Sequence, residues 1–469
     1  MEEQGMRDLS ADQLQQASAM AARIQAQAQT DPRAQVQLSA CDLGGYLKAS
    51  EHKLIQVLNA QAPPDDGNGA VEFGYVLFQL YRYFPDLARQ LALPTPSLDS
   101  AQLDELDATL EGPGVVAPDG TLIGFGKYEQ LDPGWLLAAL YYLGLITHTF
   151  EPASFNTAPA TVYPSGSTVK IAVVGDWGTG VWQDGASTCP AMQVREQITM
   201  LQPDYTIHLG DVYYAGTQYG LLDAPGEEVT NFVNLWQPGS APMAATFTLN
   251  SNHEMYDGAN GYFGRALAAP QFIGQRRTSY FAIQGDSWVI IGLDSAYYTT
   301  SPFVMEGALT DQDQLGFIKT LDTTNKTVIV MTHHNGLTAD GTAQLPLWGQ
   351  VAAALGGDAQ ARPPDFWYWG HIHNGIVYSD QSAAGAATKV RCAGHGALPF
   401  GSASALQQNG SPVASVTYFA DTPLPNPDPD QVNRVLNGFV LLTICPDAIT
   451  EQFYDQLGHI AWSQVTPLG

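Results

Sequence analysis

Apolar positions divide this chain into two textures. Up to about residue 150 they recur at helical spacing, and beyond about 168 they gather in short runs that end at Gly-Asp or at histidine. Ser10 precedes an Ala- and Gln-rich stretch and predicts a helix from 11 to about 28, with the serine as cap. A short helix is expected over 50–59, capped by Ser50. Val76, Phe78, Leu80, Tyr83 and Leu87 recur at helical spacing and predict a helix over 73–91. Asp132-Pro133-Gly134 opens an apolar segment over 135–145 that is too short to cross a bilayer and reads as a buried core helix.

In the second texture, Val169–Val174 is a short apolar run closed by Gly-Asp, the signature of a buried strand that ends in a loop. A helix is expected around 195–201, and strands at 205–209, 328–331 and 366–369. Residues 280–284 and 287–293 flank Gly285-Asp286 and predict a hairpin. Residues 438–445, 449–454 and 460–464 read as an antiparallel meander. Strands alternating with helices, followed by hairpins, predict an α/β fold with mixed sheets. Residues 152–167 are rich in Pro, Ala, Ser and Thr and are expected to link two regions. The chain thereby divides into a mostly helical region over 1–151, a linker over 152–167 and an α/β domain over 168–469.

Composition narrows the function. An apolar share of 45% with 14% charged residues is globular. The 19 basic against 46 acidic residues give a net charge of −27, a surface that repels polyanions and argues against nucleic acid as partner. A small phosphoester can still bind where metal ions reverse the field locally. No apolar run is long enough to span a membrane, so no membrane partner is expected. The N-terminal Met-Glu-Glu-Gln lacks the basic and apolar segments of a secretory signal, which points to a cytoplasmic location. Cys41, Cys189, Cys392 and Cys445 are scattered without a Cys-x-x-Cys pair and are expected as reduced thiols.

Candidate chemistry is concentrated in five motifs. They are Gly175-Asp176-Trp177-Gly178, Gly210-Asp211-Val212-Tyr213-Tyr214, Asn252-His253-Glu254, Val330-Met331-Thr332-His333 and Gly370-His371-Ile372-His373. Seven of the ten histidines lie between His208 and His395. Carboxylate, amide, imidazole and phenol donors of this kind suit Fe, Zn or Mn rather than a thiolate site. Asp211 is read as a bridge, because a carboxylate has two oxygens to offer two ions. One ion then takes Asp176, Asp211 and His373, with Tyr214 filling a position that Gly178 leaves without a side chain. The other takes Asp211, Asn252, His333 and His371. His253, adjacent to an amide ligand, is left free to meet substrate and donate a proton. His208 and His334 read as supporting residues, His395 as a loop residue within reach, and Arg265, Arg276 and Arg277 as candidates to face phosphoryl oxygens.

The motifs resemble those of the calcineurin-like metallophosphoesterase superfamily, and within it the purple acid phosphatase branch. That branch carries Asp-x-Gly, Gly-Asp-x-x-Tyr, Gly-Asn-His-Asp/Glu, Val-x-x-His and Gly-His-x-His, and this chain departs from it at Ser251, where the branch has Gly. The resemblance covers about residues 168–464. It implies a four-layer α/β/β/α sandwich with two mixed sheets, here preceded by the helical region. It also implies a ferric ion held by Asp176, Tyr214 and His373, Asp211 as bridge, and a divalent Zn, Mn or Fe held by Asn252, His333 and His371. The implied activity is phosphomonoester hydrolysis by a metal-held hydroxide, with His253 facing the substrate. A phosphodiesterase and a non-catalytic phosphate-binding scaffold are the alternatives. All five motifs lie beyond Thr168, so the helical region is expected to be separable from the metal chemistry.

Overall fold

The computed structural model describes residues 9–30, 71–93, 112–182, 189–236, 245–356, 361–383 and 386–468, and singly residues 52, 55, 56, 95, 102, 105, 108 and 110. Two sheets form the frame. The larger runs, strand beside strand, 416–419, 375–378, 386–393, 366–369, 327–331, 288–292, 281–284 and 160–162, with 381–383 paired to 386–393. The smaller runs 460–467, 448–455, 438–444, 169–174, 205–208 and 246–248. Both are mixed: Val169–Val174, Tyr205–His208 and Thr246–Thr248 pair in parallel, and Gly438–Ile444 adds to them antiparallel.

Alternation of side chains explains why the sheets stack. Ile171 and Val173 point into one apolar layer with Ile290, Ile329, Met331, Phe366 and Tyr368 of the other sheet. Their neighbours Ala172 and Val174 point the opposite way, into a second layer shared with helices. On the far side, Val328, Val330, Trp367 and Trp369 meet Phe317, Ile318 and Val351 of the helices Gln312–Thr320 and Pro346–Gly356. Period-two strands buried on both faces therefore give three apolar layers between four layers of structure, an α/β/β/α sandwich.

The helical region packs on the smaller sheet's side. Helix Ala11–Thr30 starts at a reciprocal cap, Gln13 N to Ser10 Oγ at 3.3 Å and Ser10 N to Gln13 Oε1 at 3.0 Å. The helix expected over 73–91 is two, Val71–Tyr83 and Pro85–Gln90, because Pro85 lacks the N–H that would continue the ladder. Trp135–Ile146 is buried on nearly every side, as its composition requires. Its residues share one apolar cluster with Trp177, Tyr213, Tyr214 and Tyr256 of the α/β domain. Within the stretch read as a linker, Ala160–Val162 is an edge strand parallel to Phe281–Gln284. The helix expected over 50–59 lies outside the described residues except for His52, Ile55 and Gln56, which are helical. Among the described residues, no helix is long and apolar enough to cross a membrane.

Candidate metal centre

Five strands run toward one end of the sandwich, and each hands over to a motif there. Asp176 follows Val169–Val174, Asp211 follows Tyr205–His208, and Asn252 follows Thr246–Thr248. His333 follows Thr327–Met331, and His371 and His373 follow Phe366–Trp369. Strand ends of a parallel sheet give a rigid base from which loops project side chains into a common space. The backbone is left-handed at Asp176 (φ 57°), Asp211 (75°), His371 (68°) and His373 (45°), a conformation that costs energy for any residue with a Cβ. Four of the expected ligands thus occupy strained positions.

The histidine side of the site is organised by backbone carbonyls. His333 Nδ1 lies 2.9 Å from the Leu209 carbonyl and His371 Nε2 lies 3.0 Å from the Met305 carbonyl. Each ring therefore donates its one proton to a carbonyl and presents a lone pair at the other nitrogen. Those two nitrogens, His333 Nε2 and His371 Nδ1, face each other at 3.2 Å. Asn252 Oδ1 lies 2.8 Å and Asp211 Oδ1 3.2 Å from His333 Nε2. Asn252 commits its amide N–H to Tyr256 Oη at 3.2 Å, so its oxygen is the atom turned inward. Asp211 Oδ1 is buried and accepts no hydrogen bond. Four acceptor atoms converge with no donor between them, which is the requirement of a cation.

The carboxylate side meets the same test. Asp176 Oδ1 and Asp211 Oδ2 lie 3.4 and 3.7 Å from His373 Nε2. Both carboxylates are fully buried, and among the described residues their ion-pair partners are histidines alone. Burial and the charge of Asp211 push the Asp176 carboxyl up. Burial acts the same way on Asp211, but His333 and His253 outweigh it and hold its carboxyl well below the ordinary range. Two adjacent carboxylates without Lys or Arg fit a bound cation.

The phenol at the site is Tyr213, not the expected Tyr214. Tyr213 Oη lies 2.9 Å from Asp211 Oδ2, 3.2 Å from His373 Nε2 and 3.3 Å from Asp176 Oδ1. Tyr214 turns the other way and donates to Asp132 Oδ2 at 2.5 Å, while Lys127 Nζ donates to its hydroxyl. The chain turns after Val212, so adjacent phenols diverge, and the buried Asp132 carboxylate claims the second. Gly178 explains why a phenol is wanted there. A Cβ at 178 would come within 2.5 Å of the Asp211 carbonyl oxygen, so no histidine fits at that position.

The remaining expectations sort as follows. His253 Nδ1 donates to the Tyr214 carbonyl at 2.7 Å, which leaves Nε2 facing Asp211 Oδ2 at 3.9 Å. Burial pushes the His253 imidazole down. Ser251 caps the short helix Asn252–Tyr256, accepting from His253 N at 3.1 Å and donating to Glu254, so serine serves at this departure from the branch. His334 has both nitrogens engaged, by Ser295 Oγ at 2.9 Å and the Val304 carbonyl at 2.7 Å. It supports the loop with both ring nitrogens hydrogen-bonded. His208 stacks on Phe232, and burial pushes it down to about 3. His395, read as within reach of the site, stacks instead on Phe453 and is likewise held at about 3 by burial. Arg265 lies over the Tyr219 ring, and Arg276 and Arg277 are exposed, with carbonyls accepting from Asn156. The residues that sequence reasoning missed are Tyr213 and, before the linker, Lys127, Asp132 and Trp135. Only the adjacency of two tyrosines hinted at the first.

Residues 169–375 match the calcineurin-like phosphoesterase family model. No curated protein sequence matches the chain. Among solved structures, GAP50, the anchor in the inner membrane complex of Plasmodium, is similar at 13% identity over 65% of this chain and 90% of that one, with a TM-score of 0.40. PhoD is similar at 11% identity over 67% and 70%, with a TM-score of 0.36. A conserved uncharacterized protein from Streptococcus pneumoniae, described as a predicted phosphoesterase, is similar at 11% identity over 65% and 99%, with a TM-score of 0.26. Residues 169–375 form a calcineurin-like phosphoesterase domain, and the chain is a metal-dependent phosphoester hydrolase.

Proposed function

We propose that the site is binuclear and hydrolyses small phosphomonoesters. Asp211 is shared between two cation positions. Asp176, Tyr213 and His373 complete one, and Asn252, His333 and His371 complete the other. The observation that carries this reading is the Asp211 carboxylate, which turns Oδ1 to His333 and Oδ2 to Tyr213. Burial and the two carboxylates push the Tyr213 phenol up, so without a cation it stays protonated and donates to Asp211. A phenolate oxygen is a hard donor, which favours Fe(III) at that position with Zn, Mn or Fe(II) at the other. Two such cations, when bound, supply Lewis-acid stabilisation of phosphoryl oxygens and activate water near neutral pH.

The chain's own residues supply the rest. His253 Nε2 is the nitrogen turned to the substrate side; because Nδ1 already carries a proton bound to the Tyr214 carbonyl, the ring acts as the doubly protonated imidazolium and gives its Nε2 proton to the leaving alkoxide. The rings of Tyr213, Tyr256 and Trp135 pack 4.6, 5.0 and 5.6 Å from the His253 ring and shield it from bulk water. The monoester preference is carried by the resemblance of the five motifs to the purple acid phosphatase branch. Assays with p-nitrophenyl phosphate and bis(p-nitrophenyl) phosphate, before and after chelation, test it. Turnover of the first that is lost on chelation is the expected result. Turnover of the second alone would make the protein a diesterase, and turnover of neither would make it a non-catalytic phosphate binder.

A further inference from the structure

The segment 127–135 precedes the stretch that matches the phosphoesterase family, yet it closes on the loop that carries Tyr213 and Tyr214. Asp132 is the centre of this contact. Its Oδ2 accepts from Tyr214 Oη at 2.5 Å and from Tyr128 N at 2.7 Å, and its Oδ1 accepts from Gly134 N at 2.9 Å. Gly134 lies flat against the Tyr214 ring, where a Cβ would come within 2.3 Å of Cζ. Tyr128 and Trp135 pack on the same ring with centroids 5.0 and 4.9 Å away. Both also reach the Tyr213 ring at 5.8 Å.

Tyr214 is thus gripped by its side chain from outside the family-matched stretch. Its backbone carbonyl, at the other end of the same residue, accepts from His253 Nδ1 at 2.7 Å. That hydrogen bond holds one proton on Nδ1 and turns Nε2, which carries the second proton of the imidazolium, to the reaction side. A shift of Tyr214 moves the acceptor that sets the direction of the His253 ring.

We propose that Asp132 is a positioning residue for phosphoester hydrolysis, acting through Tyr214 on the proton-donating His253. The inference rests on the proposed role of His253 and assigns catalytic consequence to a segment outside the metal-binding motifs. A donor held in the wrong direction fails most where the leaving group needs a proton and least where it leaves unaided.

The test compares Asp132→Ala, Asp132→Asn and Tyr214→Phe with wild type and His253→Ala in the full chain. kcat and KM are measured on p-nitrophenyl phosphate and on phenyl phosphate, whose leaving group is the poorer, together with metal content. Asp132→Ala is expected to lower kcat on phenyl phosphate roughly tenfold, a part of the 10²–10⁴ that a whole general acid supplies. The loss on p-nitrophenyl phosphate is expected to be much smaller, with KM and metal content unchanged. Asp132→Asn, which keeps an acceptor oxygen for Tyr214, is expected to recover most of the loss. Adding Asp132→Ala to His253→Ala is expected to cost little more, because the two act through one group. If Asp132→Ala does not fold, Tyr214→Phe, which keeps the ring and the carbonyl, is read in its place by the same criteria. Equal losses on both esters, wild-type rates, or additive losses in the double variant overturn the inference while a graded loss in His253→Ala leaves the parent reading standing. A wild type that hydrolyses neither ester, or a His253→Ala variant without a graded loss, overturns the parent reading and this inference with it.

Discussion

His333 Nε2 and His371 Nδ1 face each other at 3.2 Å as two lone pairs, because the opposite nitrogen of each ring donates to a main-chain carbonyl. A metal ion between or beside them satisfies both lone pairs at once. Replacing either histidine with Ala is expected to lower the total metal content from about two to about one equivalent per chain and to abolish turnover. Elemental analysis of the purified variants checks this. Two retained equivalents in both variants would remove these rings from the centre.

The adjacent tyrosines separate cleanly. After loading with iron under oxidising conditions, wild type is expected to show a phenolate-to-iron absorption band in the visible. Tyr213→Phe is expected to lose the band, and Tyr214→Phe to keep it, because the Tyr214 hydroxyl is bound to Asp132 and Lys127. A band that disappears only in Tyr214→Phe would reverse the assignment. A colourless wild type containing divalent metal alone would place the centre outside the purple branch.

His253 is expected to be dispensable for metal and needed for rate. His253→Ala should keep both ions and lose about 10²–10⁴ in kcat, as for a general acid. The measurement is kcat beside metal content, and a fall in metal content with the rate would make His253 a ligand.

Stability has its own pH signature, at the residue that ends the short helix Asn252–Tyr256. Burial pushes the Asp257 carboxyl up to about 7, although it accepts hydrogen bonds from the backbone of Gln218 and Gly261. Its folded value is raised above the unfolded one, so no penalty exists below about pH 4 and stability is lost as pH rises toward 7. Asp257→Asn removes the titration. Its stability relative to wild type, from urea unfolding, is expected to rise between pH 5 and pH 8 by an amount on the order of a few kcal/mol. A difference that does not change with pH would contradict the buried, protonated carboxyl.

What could be read from the chain beforehand follows the range of the interactions. The strand ends at Val174, His208 and Met331 were legible because a short apolar run closed by Gly-Asp or by Thr-His is a local pattern. The same holds for the His-x-His pair and the hairpin at Gly285-Asp286. The choice between Tyr213 and Tyr214 was not legible, since it depends on Asp132, which is 82 positions away along the chain. Trp135 read correctly as core, but the ring it packs on, His253, lies across the fold. The break at Pro85 was local and could have been seen, because proline cannot donate in the interior of a helix.

The central claim is that Asp211 is shared by two ions, and metal stoichiometry with and without its second oxygen tests it most directly. Wild type and Asp211→Asn are loaded with the same metals, freed of excess, and counted by elemental analysis beside turnover of p-nitrophenyl phosphate. Wild type is expected to hold about two ions per chain, and Asp211→Asn to lose metal from both positions together with all hydrolysis. One ion in wild type, or two ions and near-normal turnover in Asp211→Asn, would contradict it.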